Sequence, residues 1–222
     1  RLLEGDWDVA EGAAFFEFDR LMHVVEPFEV PTNWPRIRAA DYGFSSPSCV
    51  LWAAIDWDSN IWVYRELYKK GLTGEDLGDL IVQLEALDPP MQISVLDKSC
   101  WSKTGIGPSI AETMMTKGVR WVPSDSNRMA GKIEVHRRLK MDDITGQPRL
   151  RIASTCTNLI RTLPTLPLSK TNSEDVDTKA EDHAYDALRY MVMMRRLNYN
   201  LESFSRRIKD KPMEMADAVF GY

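Results

Sequence analysis

The chain has 222 residues, 44% hydrophobic and 27% charged, enough to bury a full core in one domain or one domain with an extension. Its net charge of −5 and pI near 5.3 exclude a protein that holds polyanions by bulk attraction, so a nucleic-acid contact needs a local basic patch or metal ions that neutralise clustered acids. Three cysteines without metal-ligand spacing argue against a disulfide scaffold or zinc centre and fit a reduced compartment.

No apolar run reaches the roughly 18 residues of a transmembrane helix, so no membrane span is expected. The chain opens at Arg1 with no signal-peptide pattern, and we expect a piece of something longer. It carries no Gly-x-x-x-x-Gly-Lys-Ser/Thr loop, so no P-loop ATPase is expected within it.

Residues 1–35 hold aromatic and acidic segments broken by Pro27, Pro31 and Pro35, which disfavour a long regular helix. Phe15-Phe16-Glu17-Phe18 and Met22-His23-Val24-Val25 read as short strands or a lead-in packed on a sheet, with His23 a half-buried packing residue. From Arg36 to Asp41, Ile37, Ala39 and Asp41 alternate on one face of a strand. A Gly/Ser/Pro loop follows. Cys49–Ile55 is a near-continuous apolar run, as a strand buried on both faces requires. Asp58-Ser59-Asn60 is a turn, and Ile61–Tyr68, rich in aromatic and β-branched residues, is a third strand. Three strands joined by short turns predict an antiparallel meander.

Thr73 is an N-cap with acids in the turn after it, and Leu77, Leu80, Ile81, Leu84 and Leu87 follow at helical spacing up to Pro89-Pro90. Met91–Asp97 is a further apolar strand. Pro108, Met114 and Met115 on one apolar side, and Gly118 mark a second helix, before a short strand at Val119–Val122. The basic stretch Ser124–Lys140 is a loop and then a helix. A Gly turn within Asp142–Gln147 and a strand at Arg149–Ile152 suggest a hairpin-like excursion. Cys156–Leu163 is helical, Leu163–Lys179 is a polar, mobile loop, and helical signal returns from Ala180 to Leu197. The tail after Asn198 has no strong period.

Three acids stand out. Asp41 and Asp97 each end an apolar strand before a polar loop, where open α/β sheets bind ligands; Asp before Gly is also ordinary turn chemistry. In Glu181-Asp182-His183-Ala184-Tyr185-Asp186, helical spacing puts Asp182, His183 and Asp186 on one side, with Ala184, Ala187, Leu188 and Met191 on another. Capping competes as an explanation for Glu181 and Asp182, less well for Asp186, which the expected helix start leaves beyond the first turn. His183 is either an orienting and proton-relaying group or a surface helix residue. Such acids suit phosphodiester hydrolysis, in which two Mg²⁺ or Mn²⁺ ions about 4 Å apart clamp an in-line displacement through carboxylate ligands and waters.

The order strand-Asp, strand-Asp, helix-Asp resembles the RNase H-like superfamily. The wording resembles the nuclease domain of the large terminase subunit of tailed bacteriophages. Ala40-Asp41-Tyr42-Gly43 with Pro47, Leu96-Asp97, and Asp182-His183-Ala184-Tyr185-Asp186-Ala187-Leu188-Arg189-Tyr190 match its three motifs. Cys156–Arg161 resembles the helix before the last, and Gly5-Asp6-Trp7 with Val30-Pro31 a lead-in after an ATPase domain.

The resemblance implies an α/β, RNase H-like mixed sheet, an antiparallel meander plus parallel strands flanked by helices. It divides the chain into a lead-in from a missing ATPase domain (1–35), a nuclease domain (36–197) and a C-terminal tail (198–222). It implies a metal-dependent endonuclease of a viral DNA-packaging motor that cuts concatemeric double-stranded DNA. Asp41, Asp97 and Asp186 would be catalytic metal ligands, and Asp182 (metal) and His183 (catalytic) supporting members, with Mg²⁺ or Mn²⁺ as two ions. Partners would be double-stranded DNA, the portal protein and the small terminase subunit, in the host cytoplasm and at the procapsid portal. Lys98, Lys103, Arg128, Lys132, Arg137 and Arg138 are the candidates for DNA-backbone contacts. An alternative is a docking module for packaging partners with weak intrinsic cleavage. Residue type alone does not separate hydrolysis from the strand transfer of transposases, and an actin-like ATPase would need a second Gly-rich phosphate loop that is lacking.

Overall fold

In the computed structural model, which describes residues 12–103, 105–172 and 174–194, a one-turn helix α1 (Arg20–His23) runs into a two-residue strand β1 (Val24–Val25). The chain continues through β2 (Arg36–Asp41), β3 (Ser48–Ile55) and β4 (Ile61–Lys69) to α2 (Gly74–Leu84) and β5 (Ile93–Leu96). It then forms α3 (Ile110–Thr116), β6 (Val122–Pro123), α4 (Arg128–Leu139), β7 (Leu150–Ala153), α5 (Thr157–Thr162) and α6 (His183–Val192). The seven strands make one sheet in the order β1-β7-β4-β3-β2-β5-β6. Only β3 is antiparallel to its neighbours β2 and β4; the remaining pairs are parallel. This is the expected mixed sheet, meander plus parallel strands, with helices on both faces.

Period-two alternation explains the two cores. Ile37 and Ala39 of β2, with Cys49, Leu51 and Ala53 of β3, bury against Val135 of α4, Leu159 of α5 and Ala184, Ala187 and Leu188 of α6. The opposite faces, Ala40, Val50 and Trp52, bury against Leu77 and Ile81 of α2 and Ala111 and Met114 of α3. Every residue of β2 and β3 is buried, which is why β3 reads as an unbroken apolar run rather than an alternating one. Arg38 on the α2 side stacks over Trp121 at 4.3 Å and pairs with Glu85, which also accepts from Trp52 Nε1 at 2.6 Å.

Some expectations change. Phe15 and Phe18 are core residues of the α6 face, yet their segment is not a strand, and Met22-His23 lie in or beside the turn of α1. His23 is fully buried, its Nε2 donating to the Leu139 carbonyl at 2.8 Å and its Nδ1 accepting from the Asp19 N–H at 3.0 Å. Val119 and Trp121 pack in the second core, and only Val122–Pro123 pair with β5. Met115 is 46% exposed, because α3 is only two turns long and presents Ala111 and Met114 inward. β7 pairs in parallel with β4, so the excursion before it is not a hairpin of β7; it is closed by a Met141–Pro148 bridge and an Arg149–Asp142 ion pair at 2.6 Å.

Helix α6 begins at His183 rather than Ala180, which places Asp186 in its first turn. No helix among the described residues is long and apolar enough to cross a membrane. Gly5-Asp6-Trp7, the end of the last expected helix and the tail lie outside the described residues.

Candidate active site

Parallel pairing of β2 with β5 sets Ala40 beside Leu96, and the Asp97 N–H continues the ladder to the Ala40 carbonyl at 3.1 Å. Asp41 and Asp97 thus leave neighbouring strands at the same carboxyl edge of the sheet. The loop after Asp41 is tightly folded. Ser48 Oγ accepts from the Gly43 N–H at 3.2 Å and donates to the Gly43 carbonyl at 2.8 Å. A Cβ on Gly43 would stand 2.2 Å from Ser46 Oγ and 2.8 Å from the Ser46 carbonyl oxygen, so only glycine fits this approach.

Helix α6 packs across β2 and β3 through its small residues and brings its first turn over that edge. His183 Nδ1 meets Asp41 Oδ2 at 3.0 Å. Asp182 sits at the helix start without a capping hydrogen bond, so helix capping does not account for it. Glu181, the other acid with a capping explanation, pairs instead with Arg161 at 2.7 Å and accepts from Tyr68 Oη at 2.7 Å.

The electrostatics are those of crowded, half-desolvated acids. Burial pushes Asp41 up to about 6, against the opposing hydrogen bond from His183 and with a further push from Asp186 and Asp97. Burial, then the charge of Asp186, pushes Asp182 up to about 7. The hydrogen bond to Asp41 raises His183 above the ordinary imidazole value. Cys100 beside the cluster is pushed up to about 12, first by burial and then by Asp97 and Asp41, which makes it an inert thiol.

The acids share this edge, but among the described residues no three His, Cys, Asp or Glu side chains converge closely enough to hold one ion. The single cage expected of Asp41, Asp97 and Asp186 is therefore not formed. Each carboxylate instead takes a protein donor. Both Asp97 oxygens accept from Ser99, its N–H at 3.1 Å and its Oγ at 2.6 Å. Asp41 takes His183, and Asp186 takes Arg189 Nε at 3.0 Å. An aimed donor outweighs the approach of like charges. Chemically the set still suits hard divalent cations: all its donors are carboxylate oxygens, and the burial that raises Asp41 and Asp182 disfavours their ionised forms, a cost that a bound cation would offset.

Of the basic candidates, Lys98 is exposed beside Asp97, Lys103 pairs with Glu112 at 3.2 Å and Arg137 is 69% exposed on its side chain. Lys132 and Arg138 are not free for DNA. Both are buried on the inward side of α4, where Lys132 donates to the Glu174 carbonyl at 2.9 Å and Arg138 to Glu134 at 2.9 Å. Arg128 faces the acids. Its Nε donates to Asp175 at 2.9 Å and its Nη1 stands 3.4 Å from Asp186 Oδ2.

Three further residues shape the site. Arg189, buried to 2% exposure, holds Asp186. Gly131 makes room for it, since a Cβ there would lie 2.4 Å from Arg189 Cγ. Asp175 anchors Arg128. Arg189 was detectable at i+3 from Asp186; nothing local in the sequence marks the other two.

No family model and no curated protein sequence matches the chain. Solved structures do. The P22 large terminase nuclease domain superposes over 83% of this chain and 93% of its own, with TM-score 0.68 and 17% identity. The large terminase of the thermophilic bacteriophage D6E matches 85% of this chain, with TM-score 0.68 and 18% identity, but only 45% of its own length; the chain thus spans less than half of that protein. The large terminase nuclease from thermophilic phage G20c, solved with bound cobalt, covers 83% of this chain and 98% of its own, with TM-score 0.57 and 14% identity. The fold is that of these nuclease domains, an RNase H-like mixed sheet flanked by helices.

Proposed function

We propose that the chain is the nuclease part of a viral DNA-packaging motor, a divalent-metal-dependent endonuclease that cuts concatemeric double-stranded DNA. The observation that carries it is the placement of Asp41, Asp97 and the Asp182-His183-Asp186 turn along one sheet edge, where β2, β5 and α6 come together. The likeness in fold to phage terminase nucleases, one of them solved with cobalt, supports the same reading. On this reading residues 36–197 form the nuclease, 1–35 lead in from an ATPase domain and 198–222 are a tail. The portal protein and small terminase subunit are its partners, in the host cytoplasm and at the procapsid.

Asp41, Asp97, Asp182 and Asp186 would hold Mg²⁺ or Mn²⁺, as two ions. Bound there, the metal supplies Lewis-acid charge for a phosphate and a water acidified enough to attack it. The chain's own groups prepare the site. His183 Nδ1 fixes Asp41 Oδ2; the contact raises His183 and opposes the upward push of burial on Asp41. Arg189 Nε fixes Asp186 Oδ1. Among the described residues Lys132 and Arg138 are buried and Arg128 is paired with acids, so substrate affinity depends on neutralised acids more than on these basic side chains.

The test is incubation of plasmid DNA with the purified chain and Mg²⁺ or Mn²⁺. Nicking and linearisation are expected, lost with EDTA and reduced at least about a hundredfold in Asp41→Ala and Asp186→Ala. Variants that cut like the parent would remove these acids from the reaction.

A further inference from the structure

Arg128 opens α4 and points into the acid cluster, yet its bonds there are uneven. Nε donates to Asp175 Oδ2 at 2.9 Å, a well-formed charged hydrogen bond. Nη1 lies 3.4 and 3.5 Å from the two Asp186 oxygens. Nη2 stands 3.9 Å from Asp182 Oδ2 and is buried without a hydrogen-bond partner. The guanidinium is thus secured at its Nε end and only Coulombically engaged where it faces the site.

One turn further, Lys132 Nζ donates to the Glu174 carbonyl at 2.9 Å, so α4 grips the loop that carries Asp175 at two points. Arg189 behaves differently. It is buried against Gly131, bonds Asp186 at 3.0 Å and stacks 4.5 Å over Tyr190, so it cannot withdraw without unpacking the helix interface. Asp186 therefore has one fixed cation and one that is anchored elsewhere.

We propose that Arg128 is a removable counter-ion of the cluster: Asp175 anchors its guanidinium short of full contact with Asp182 and Asp186, and a divalent cation competes with it for those carboxylates. This rests on the metal-binding reading above. A positive charge a few ångströms from the ligand oxygens disfavours an incoming cation. Its removal therefore strengthens ion binding by about tenfold. Loss of Asp175 frees the guanidinium to close on Asp182 and Asp186 and weakens ion binding.

The test is calorimetric titration of Mn²⁺ into the purified chain without DNA, with thermal melts to confirm folding. R128Q is expected to bind Mn²⁺ about tenfold tighter than the parent and D175N weaker. R128K, which keeps the charge, stays near the parent. The R128Q/D175N double variant stays within about threefold of R128Q, because Asp175 acts through Arg128.

A folded R128Q that binds Mn²⁺ no better than the parent overturns the proposal. So does a D175N that binds as tightly as the parent or tighter, a result that stands even if R128Q fails to fold. D186N separates the two readings. If the parent binds Mn²⁺ and D186N does not, the metal reading holds whatever R128Q shows. If the parent binds none, both fall.

Discussion

Asp182 is a buried carboxylate whose cationic neighbour Arg128 stands 3.9 Å away, with Asp186 one helical turn on. Its charge opposes the fold, as expected of a group shaped for a ligand rather than for stability. Asp182→Asn keeps the shape and removes the charge. In EDTA at pH 8 we expect it to raise the melting temperature by roughly 2–4 °C per kcal/mol gained, and to lower Mn²⁺ affinity at the same time. An unchanged or lower melting point would mean that Asp182 is already compensated. The same physics separates Glu181 from its neighbour: its partners Arg161 and Tyr68 hold it at about 2, so it is a structural ion pair beside the site.

Helix α6 and strand β2 bring the site together, and their contact depends on small residues. Ala184 and Ala187 let the helix lie close on Ile37 and Ala39, which puts His183 within reach of Asp41. Helices α4 and α6 pack on each other in the same way through Gly131. Alanine there would ordinarily strengthen a helix by up to about 1 kcal/mol. Here its Cβ would meet Arg189 Cγ at 2.4 Å and Cδ at 2.9 Å. We expect Gly131→Ala to destabilise by about 1–3 kcal/mol in urea unfolding and to reduce cleavage by loosening Asp186. Unchanged stability and cleavage would show that Arg189 has another place to go.

For the whole molecule, net charge −5 works against bulk attraction of a polyanion, and of the described candidates for phosphate contact Lys132 and Arg138 are buried. We expect the isolated chain to bind a duplex weakly without divalent ions. The slope of log affinity against log salt should correspond to about three phosphates or fewer, and affinity should increase when Ca²⁺ is added. Fluorescence anisotropy on a labelled duplex measures this; tight, steeply salt-dependent binding in EDTA would overturn the expectation.

Element type was legible from local chemistry: the all-apolar run of β3, the Thr73 capping box of α2 and the two-residue alternation of β2 need only neighbouring residues. So was the antiparallel meander of β2, β3 and β4, whereas the mixed sheet as a whole was what the resemblance to RNase H-like proteins implied. The tertiary structure alone decided which charges meet. Arg128 against Asp175, Asp182 and Asp186, Arg189 beside Gly131, Lys132 under the Glu174 loop, and Asp97 turned onto Ser99 rather than into a shared cage all depend on the distance and burial of groups. Those arise only when segments far apart in the chain pack, and the energy of a charge depends on that surrounding far more than on its sequence neighbours.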